Sequence, residues 1–124
     1  MLHIKSSSAP CFEIQSLSVL GLAAPSRGAR ETCVWRVTLA PRTPGTPHSV
    51  DREQIFVALS GQARVELGGQ DATLAPGDAL IVPAGESFSL SNPGEEPFTA
   101  LAVLPVGGCP VLPGGEPFSP PWLI

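Results

Sequence analysis

The sequence predicts an all-β fold, a sandwich or barrel of many short strands. Fifteen prolines and thirteen glycines in 124 residues fall between apolar runs, not in one low-complexity block, so they punctuate short elements. Several runs alternate apolar and polar side chains with a period of two, the pattern of a half-buried strand. No stretch keeps a helical apolar spacing over three turns.

Taken in order, "CFEIQSLSVLG" reads as one strand and "LAAPSRGAR" as a loop. In "ETCVWRVTLA", Cys33, Trp35, Val37 and Leu39 alternate with Val34, Arg36 and Thr38, which makes a strand dense in β-branched and aromatic residues. "PRTPGTP" cannot pair as a central strand and is a loop. "QIFVALSG" is a buried strand, and "QARVELGGQDATLA" is a hairpin whose glycines supply positive φ at the turn. "PGDALIVPAG" sets a strand between two Pro/Gly turns. "ESFSLSN" points Phe88 and Leu90 to one face and its serines to the other, and "PFTALAVLPV" is the last long strand. The chain ends in a proline-rich tail whose Trp122 is expected to dock against the barrel or a neighbouring subunit.

Composition narrows the partners. The hydrophobic fraction is 43% and the charged fraction 15%, enough apolar material for a packed core. Net charge is −4, and Lys5 is the only lysine. Nucleic acid and anionic membranes need a concentrated cationic patch, so neither is an expected partner. No apolar run is long enough to cross a bilayer, and "MLHIKSSSAPCFEIQ" lacks the apolar core of a secretory signal, so a cytoplasmic location is expected. Cys11, Cys33 and Cys109 are an odd, widely spaced set that matches no zinc or redox spacing, and they read as reduced thiols.

Two stretches, "PGTPHSVDREQIFVALSG" and "PGDALIVPAGESFSLSN", resemble the paired motifs of the cupin superfamily, double-stranded β-helix (jelly-roll) barrels. Pro44, Gly45, His48 and Gly61 match the first motif; Pro76, Gly77, Asp78, Pro83, Gly85 and Asn92 match the second. The resemblance covers roughly residues 31–106 and implies one cupin domain over 1–124, with an N-terminal strand and the tail flanking that core. It also implies where a metal would sit. In the family two histidines, a glutamate and a third histidine hold it; those positions here are His48, Val50, Gln54 and Phe88. Non-haem iron and catalytic zinc each need about three strong donors, and one imidazole with a neutral amide does not supply them. No metal and no other cofactor is therefore expected. A weak His48–Glu53 pair remains open if a bulge turns Glu53 inward, since a one-residue shift flips a strand side chain to the other face.

The expected function is to hold a small organic molecule in the barrel mouth, in a binding or auxiliary role. His48, Val50, Gln54, Phe56 and Phe88 are the expected contacts, and Arg36 is a candidate carboxylate partner if its strand face is interior rather than solvent-facing. Metal-free acid–base chemistry, as an isomerase, epimerase or cyclase, is the alternative, with His48 paired to Glu53 or Asp51. Metal-dependent dioxygenase or isomerase chemistry ranks third. The apolar chain ends and the family resemblance together imply a homodimer.

Overall fold

The computed structural model describes all 124 residues. Eleven strands form: β1 (Cys11–Ile14), β2 (Leu17–Ala23), β3 (Thr32–Leu39), β4 (Ser49–Val50), β5 (Gln54–Ser60), β6 (Ala63–Leu67), β7 (Gln70–Leu74), β8 (Ala79–Val82), β9 (Phe88–Ser91), β10 (Phe98–Pro105) and β11 (Pro110–Val111). The only helical pieces are three single 3₁₀ turns, at Ser6–Ser8, Pro25–Arg27 and Pro121–Leu123. No helix is long and apolar enough to cross a membrane.

One layer is a six-stranded antiparallel sheet in the order β1-β2-β3-β10-β5-β8. The other is built from β7-β6-β9 and the pair β11-β4. A bridge between His48 and Phe88, and another between Thr43 and Asn92, lay the 43–50 segment alongside β9 and join those two pieces. The result is the expected all-β jelly roll, with few helical residues and crossing connections between its layers.

The core follows from strand parity. β10 alternates strictly, with Phe98, Ala100, Ala102 and Leu104 buried. Its neighbours β3 and β5 match it across the ladder: Ala102 lies opposite Trp35 on one side and Phe56 on the other. The small alanines of β10 leave room for those two aromatic rings. β6 and β7 join through Gly68 and Gly69, both at positive φ (59° and 76°), the two-residue hairpin turn that a Gly-Gly pair favours. Gly61 is also required: its φ is 72°, and a Cβ there would run into the Pro97 carbonyl oxygen.

Two elements depart from the sequence reading. "CFEIQSLSVLG" is a hairpin of β1 and β2, not one strand, with Ile14 opposite Leu17 around a Gln15–Ser16 turn. Gln15 sits in the left-handed region at φ 55° without the glycine or asparagine that usually announces such a turn. The tail also contributes a strand. β11 pairs with β4 through Pro110–Val50 and Val111–Ser49, a contact too short to leave a periodic signal.

Asn92 ties the layers together from inside. It is 1% exposed. Its Nδ2 donates to the carbonyl oxygens of Leu39 (3.1 Å), Ala40 (3.2 Å) and Glu96 (2.8 Å), and its Oδ1 accepts from the Gly94 N–H (3.1 Å). Its backbone exchanges hydrogen bonds with Thr43, both 2.9 Å. Asn92→Ala strands these groups in a dry interior and is expected to lower unfolding free energy by about 2 to 4 kcal/mol in urea denaturation. A loss below about 0.5 kcal/mol, the scale of a neutral surface change, would show that water or neighbours replace these bonds freely.

Candidate functional site

Between the layers lies a cavity of about 360 Å³, within the size range of small-molecule sites. β3 and β10 form its wall through Trp35, Val37, Leu39 and Leu104, and β5 contributes Gln54 and Phe56. His48 and Val50 face Phe88 and Leu90 across the joint between β4 and β9. Of its 22 lining residues, none is Asp, Glu, Lys or Arg.

The site is assembled by a backbone exchange. The His48 N–H donates to the Phe88 carbonyl (3.0 Å), and the Phe88 N–H donates to the His48 carbonyl (2.8 Å). Directly opposed residues share a sheet face, and the two rings meet at 4.5 Å between centroids, tilted by 47°. Phe56 follows at 5.9 Å from Phe88. Both spacings are those of favourable tilted ring contacts.

Polar groups in the cavity are few. The His48 Nδ1–H donates to the Thr46 carbonyl oxygen at 2.9 Å. A carbonyl can only accept, so this bond fixes the hydrogen on Nδ1 and leaves Nε2 as the free ring nitrogen. Gln54 is 5% exposed, lines the cavity, and its carboxamide has no hydrogen-bond partner in the protein. Thr43 is occupied, its Oγ1 donating to the Ala40 carbonyl (2.6 Å). The one buried side-chain nitrogen or oxygen without a partner is Arg27 Nη2, which is not in the cavity lining, so the Gln54 amide opens onto the cavity and is not sealed from it.

The residues expected at the site divide into two groups. His48, Val50, Gln54, Phe56 and Phe88 all line the one cavity. Arg36 does not: it is exposed on the outer face of β3, in the opposite phase to Trp35 and Val37. An apolar interior takes the apolar phase of an alternating strand, so the arginine is turned to solvent and holds no ligand there. Glu53 is also exposed, because Gln54 takes the inward position at the start of β5 and its predecessor must face away. Asp51 lies outside the cavity too, where its Oδ1 accepts from the Cys109 N–H (2.7 Å) while its own N–H donates to the Cys109 carbonyl (3.0 Å). Neither the His48–carboxylate acid–base pair nor the His48–Glu53 metal pair is formed.

Other cavity residues escaped the sequence reading. Trp122 and Leu123, brought back by the tail, close one side together with Pro120, and the Gln15–Ser16 turn borders another. The tail is anchored by β11 and by the Ser26 N–H donating to the Ile124 carbonyl (3.3 Å). Cys33 lies behind this wall, 1% exposed. Burial pushes its thiol pKa up, and the nearby Arg27 charge opposes that only in part, so the group packs as a small hydrophobe and not as a nucleophile. All three cysteines are free. A more open depression at the Gly68–Gly69 turn is bordered by Glu66, Asp71 and Glu86, but Arg64 already pairs with Asp71 (2.8 Å) and Glu66 (3.5 Å).

A metal fits this donor set poorly. The four positions that hold metal in the resembling family converge here, yet only His48 offers a strong donor. No group of three or more His, Cys, Asp or Glu side chains able to hold a metal ion occurs.

The family model "Cupin domain" matches residues 35–104, more than half of the chain. The polyketide cyclase RemF from Streptomyces resistomycificus is similar in structure, with a TM-score of 0.76 and 19% identity, covering 85% of this chain and 79% of that one. KdgF from Halomonas sp. has a TM-score of 0.72 at 20% identity over 82% and 92% of the two chains. An RmlC-like cupin from Shewanella frigidimarina NCIMB 400 has 0.71 at 16% over 82% and 86%. At these identities the likeness is one of fold. In sequence, mannose-1-phosphate guanylyltransferase 2 from Escherichia coli O157:H7 is 33% identical over 52 residues, 42% of this chain; the chain spans only 11% of that relative's length.

The convergence of the four positions is directly testable. Val50→His, Gln54→Glu and Phe88→His combined are expected to restore two imidazoles and a carboxylate around His48. That variant should take up about one equivalent of zinc or nickel and gain thermal stability when it does. A folded triple variant that holds no more metal than the parent protein, by elemental analysis after dialysis, would contradict the convergence.

Proposed function

The chain belongs to the cupin family, and on that premise we propose that it holds a small organic molecule in the barrel mouth without a tightly bound metal, in a binding or auxiliary role. The observation that carries this reading is the replacement chemistry at one converged site. Val50 and Phe88 make apolar wall where the family has imidazole, and Gln54 offers a neutral amide where it has a carboxylate. A ligand there gains chiefly from apolar burial, at roughly 25 cal/mol per Å² removed from water. His48 and Gln54 supply direction.

Turnover is the weaker reading. RemF is by name a cyclase, and an acid–base cyclase or isomerase needs a proton-transferring pair within hydrogen-bond reach. Here His48 has a backbone carbonyl as its partner, and the carboxylates of Asp51 and Glu53 face away.

Both tryptophans of the chain line the cavity and there is no tyrosine, so intrinsic emission reports on this site alone. Titration of chelator-treated protein with small aromatic compounds is expected to give a saturable, one-to-one change in that emission. Binding that disappears with chelator and returns with a divalent metal would overturn the metal-free reading.

A homodimer is the second part of the proposal. The outer face of the six-stranded sheet carries Val34, Val103, Ile55 and Ile81 in one cross-strand row, with Leu101, Val57 and Ala79 in the next, which Arg36 ends. Ile81 is 58% exposed at the edge. An apolar face of this kind supports pairing with a second copy. Light scattering at tens of micromolar should give twice the 12.8 kDa chain mass, and Ile81→Lys with Val57→Lys should shift it to monomer. A parent protein that scatters as a monomer would refute this.

A further inference from the structure

We infer that the molecule held in the barrel is a small, uncharged aromatic ring system bearing a hydroxyl group, such as a phenol. This deepens the binding reading above and rests on it. A cavity of about 360 Å³ is within the size range of small-molecule sites.

The absence of charge follows from the lining. None of the 22 residues carries a permanent charge. A carboxylate or phosphate brought into this space would give up its hydration and find no arginine or lysine; Arg36, the nearest expected candidate, is on the outer face. An ammonium group would find no carboxylate, since Asp51 is committed to the Cys109 N–H and Glu53 faces solvent. Burying an unpaired charge is among the most costly events in a protein interior.

The ring follows from the shape of the walls. Phe88 stands against both His48 and Phe56 at tilted angles, and Trp35 and Trp122 add two indole rings from other parts of the chain. Rings fixed at such angles offer both edges and faces to a flat guest.

The hydroxyl follows from what the cavity leaves unsatisfied. His48 spends Nδ1 on the Thr46 carbonyl, and in the tautomer with its hydrogen on Nδ1 the other ring nitrogen, Nε2, is an acceptor. Gln54 presents to the same cavity an amide that can both give and take a hydrogen bond and that no protein side chain engages. A hydroxyl can donate to Nε2 or to the amide oxygen and can accept from the amide N–H. A plain hydrocarbon answers neither group, and sites built to hydrogen-bond a hydroxyl discriminate strongly against analogues that lack it.

Three probes of one skeleton separate these elements: 2-naphthol, naphthalene and 2-naphthoate, titrated calorimetrically into the full chain at about pH 7.5, where the phenol is neutral and the acid ionised. The expected order places 2-naphthol at least about tenfold tighter than either of the others. Gln54→Leu, nearly equal in volume, is expected to erase the naphthol-over-naphthalene preference while keeping naphthalene binding. Should that variant not fold, the order for the parent protein decides alone. Naphthoate binding as tightly as naphthol would overturn the assignment of ligand class and leave small-molecule binding intact. Equal affinity for naphthol and naphthalene would remove the hydroxyl. No binding of any probe would overturn this inference and the binding reading beneath it together.

Discussion

The exchange of two backbone hydrogen bonds between His48 and Phe88 is the contact on which the site depends. The segment leading to β4 contains Pro44 and Pro47, which have no N–H to give, and Gly45, which prefers no conformation. Such a stretch cannot hold a strand by its own ladder. It is pinned at one end by Thr43 against Asn92 and at the other by His48 against Phe88, with the Gly85 N–H donating to the Val50 carbonyl (2.8 Å) just beyond. Once these bonds fix the segment, His48 and Val50 must face inward together. β4 also becomes a free edge on which β11 can pair, and the tail follows β11 to its place against the cavity.

The replaced metal positions have an energetic logic. Three imidazoles and a carboxylate gathered in a barrel would be costly to bury whenever the metal was absent, because their hydration and mutual repulsion go uncompensated. Val50 and Phe88, at 1% and 2% exposure, instead contribute about 1.5 to 3 kcal/mol each through burial. At these positions the fold stands on packing. Gln54 is the residue that keeps polar character there, a neutral amide opening onto the cavity between apolar walls.

The fold was legible in the sequence because turn chemistry is local. Gly68–Gly69, the Pro-Gly pairs before β4 and β8, and strict alternation in β3 and β9 each announce themselves within a few residues. The convergence of positions 48, 50, 54 and 88 was legible only through the paired motifs, since nothing local says that β4 and β9 meet. Three features left no signal. The β1–β2 hairpin turns at Gln15, a residue with no preference for left-handed backbone. β11 is two residues long and is specified by its partner. Trp122 was expected to dock against the barrel or a neighbouring subunit, and only its place in the cavity wall went unsignalled. The phase of β3 that faces inward is decided by the whole barrel, and it removed Arg36 from the site.

The Gln15 turn has a further implication. A left-handed residue other than glycine carries a strain of about 1 to 2 kcal/mol, and this one sits on the cavity rim. Glycine at position 15 would release the strain and delete a rim side chain in the same step. Stability and the shape of the rim therefore pull in opposite directions at one residue, and a sequence drifting under selection for robustness alone has an easy route to a sturdier barrel with a wider entrance.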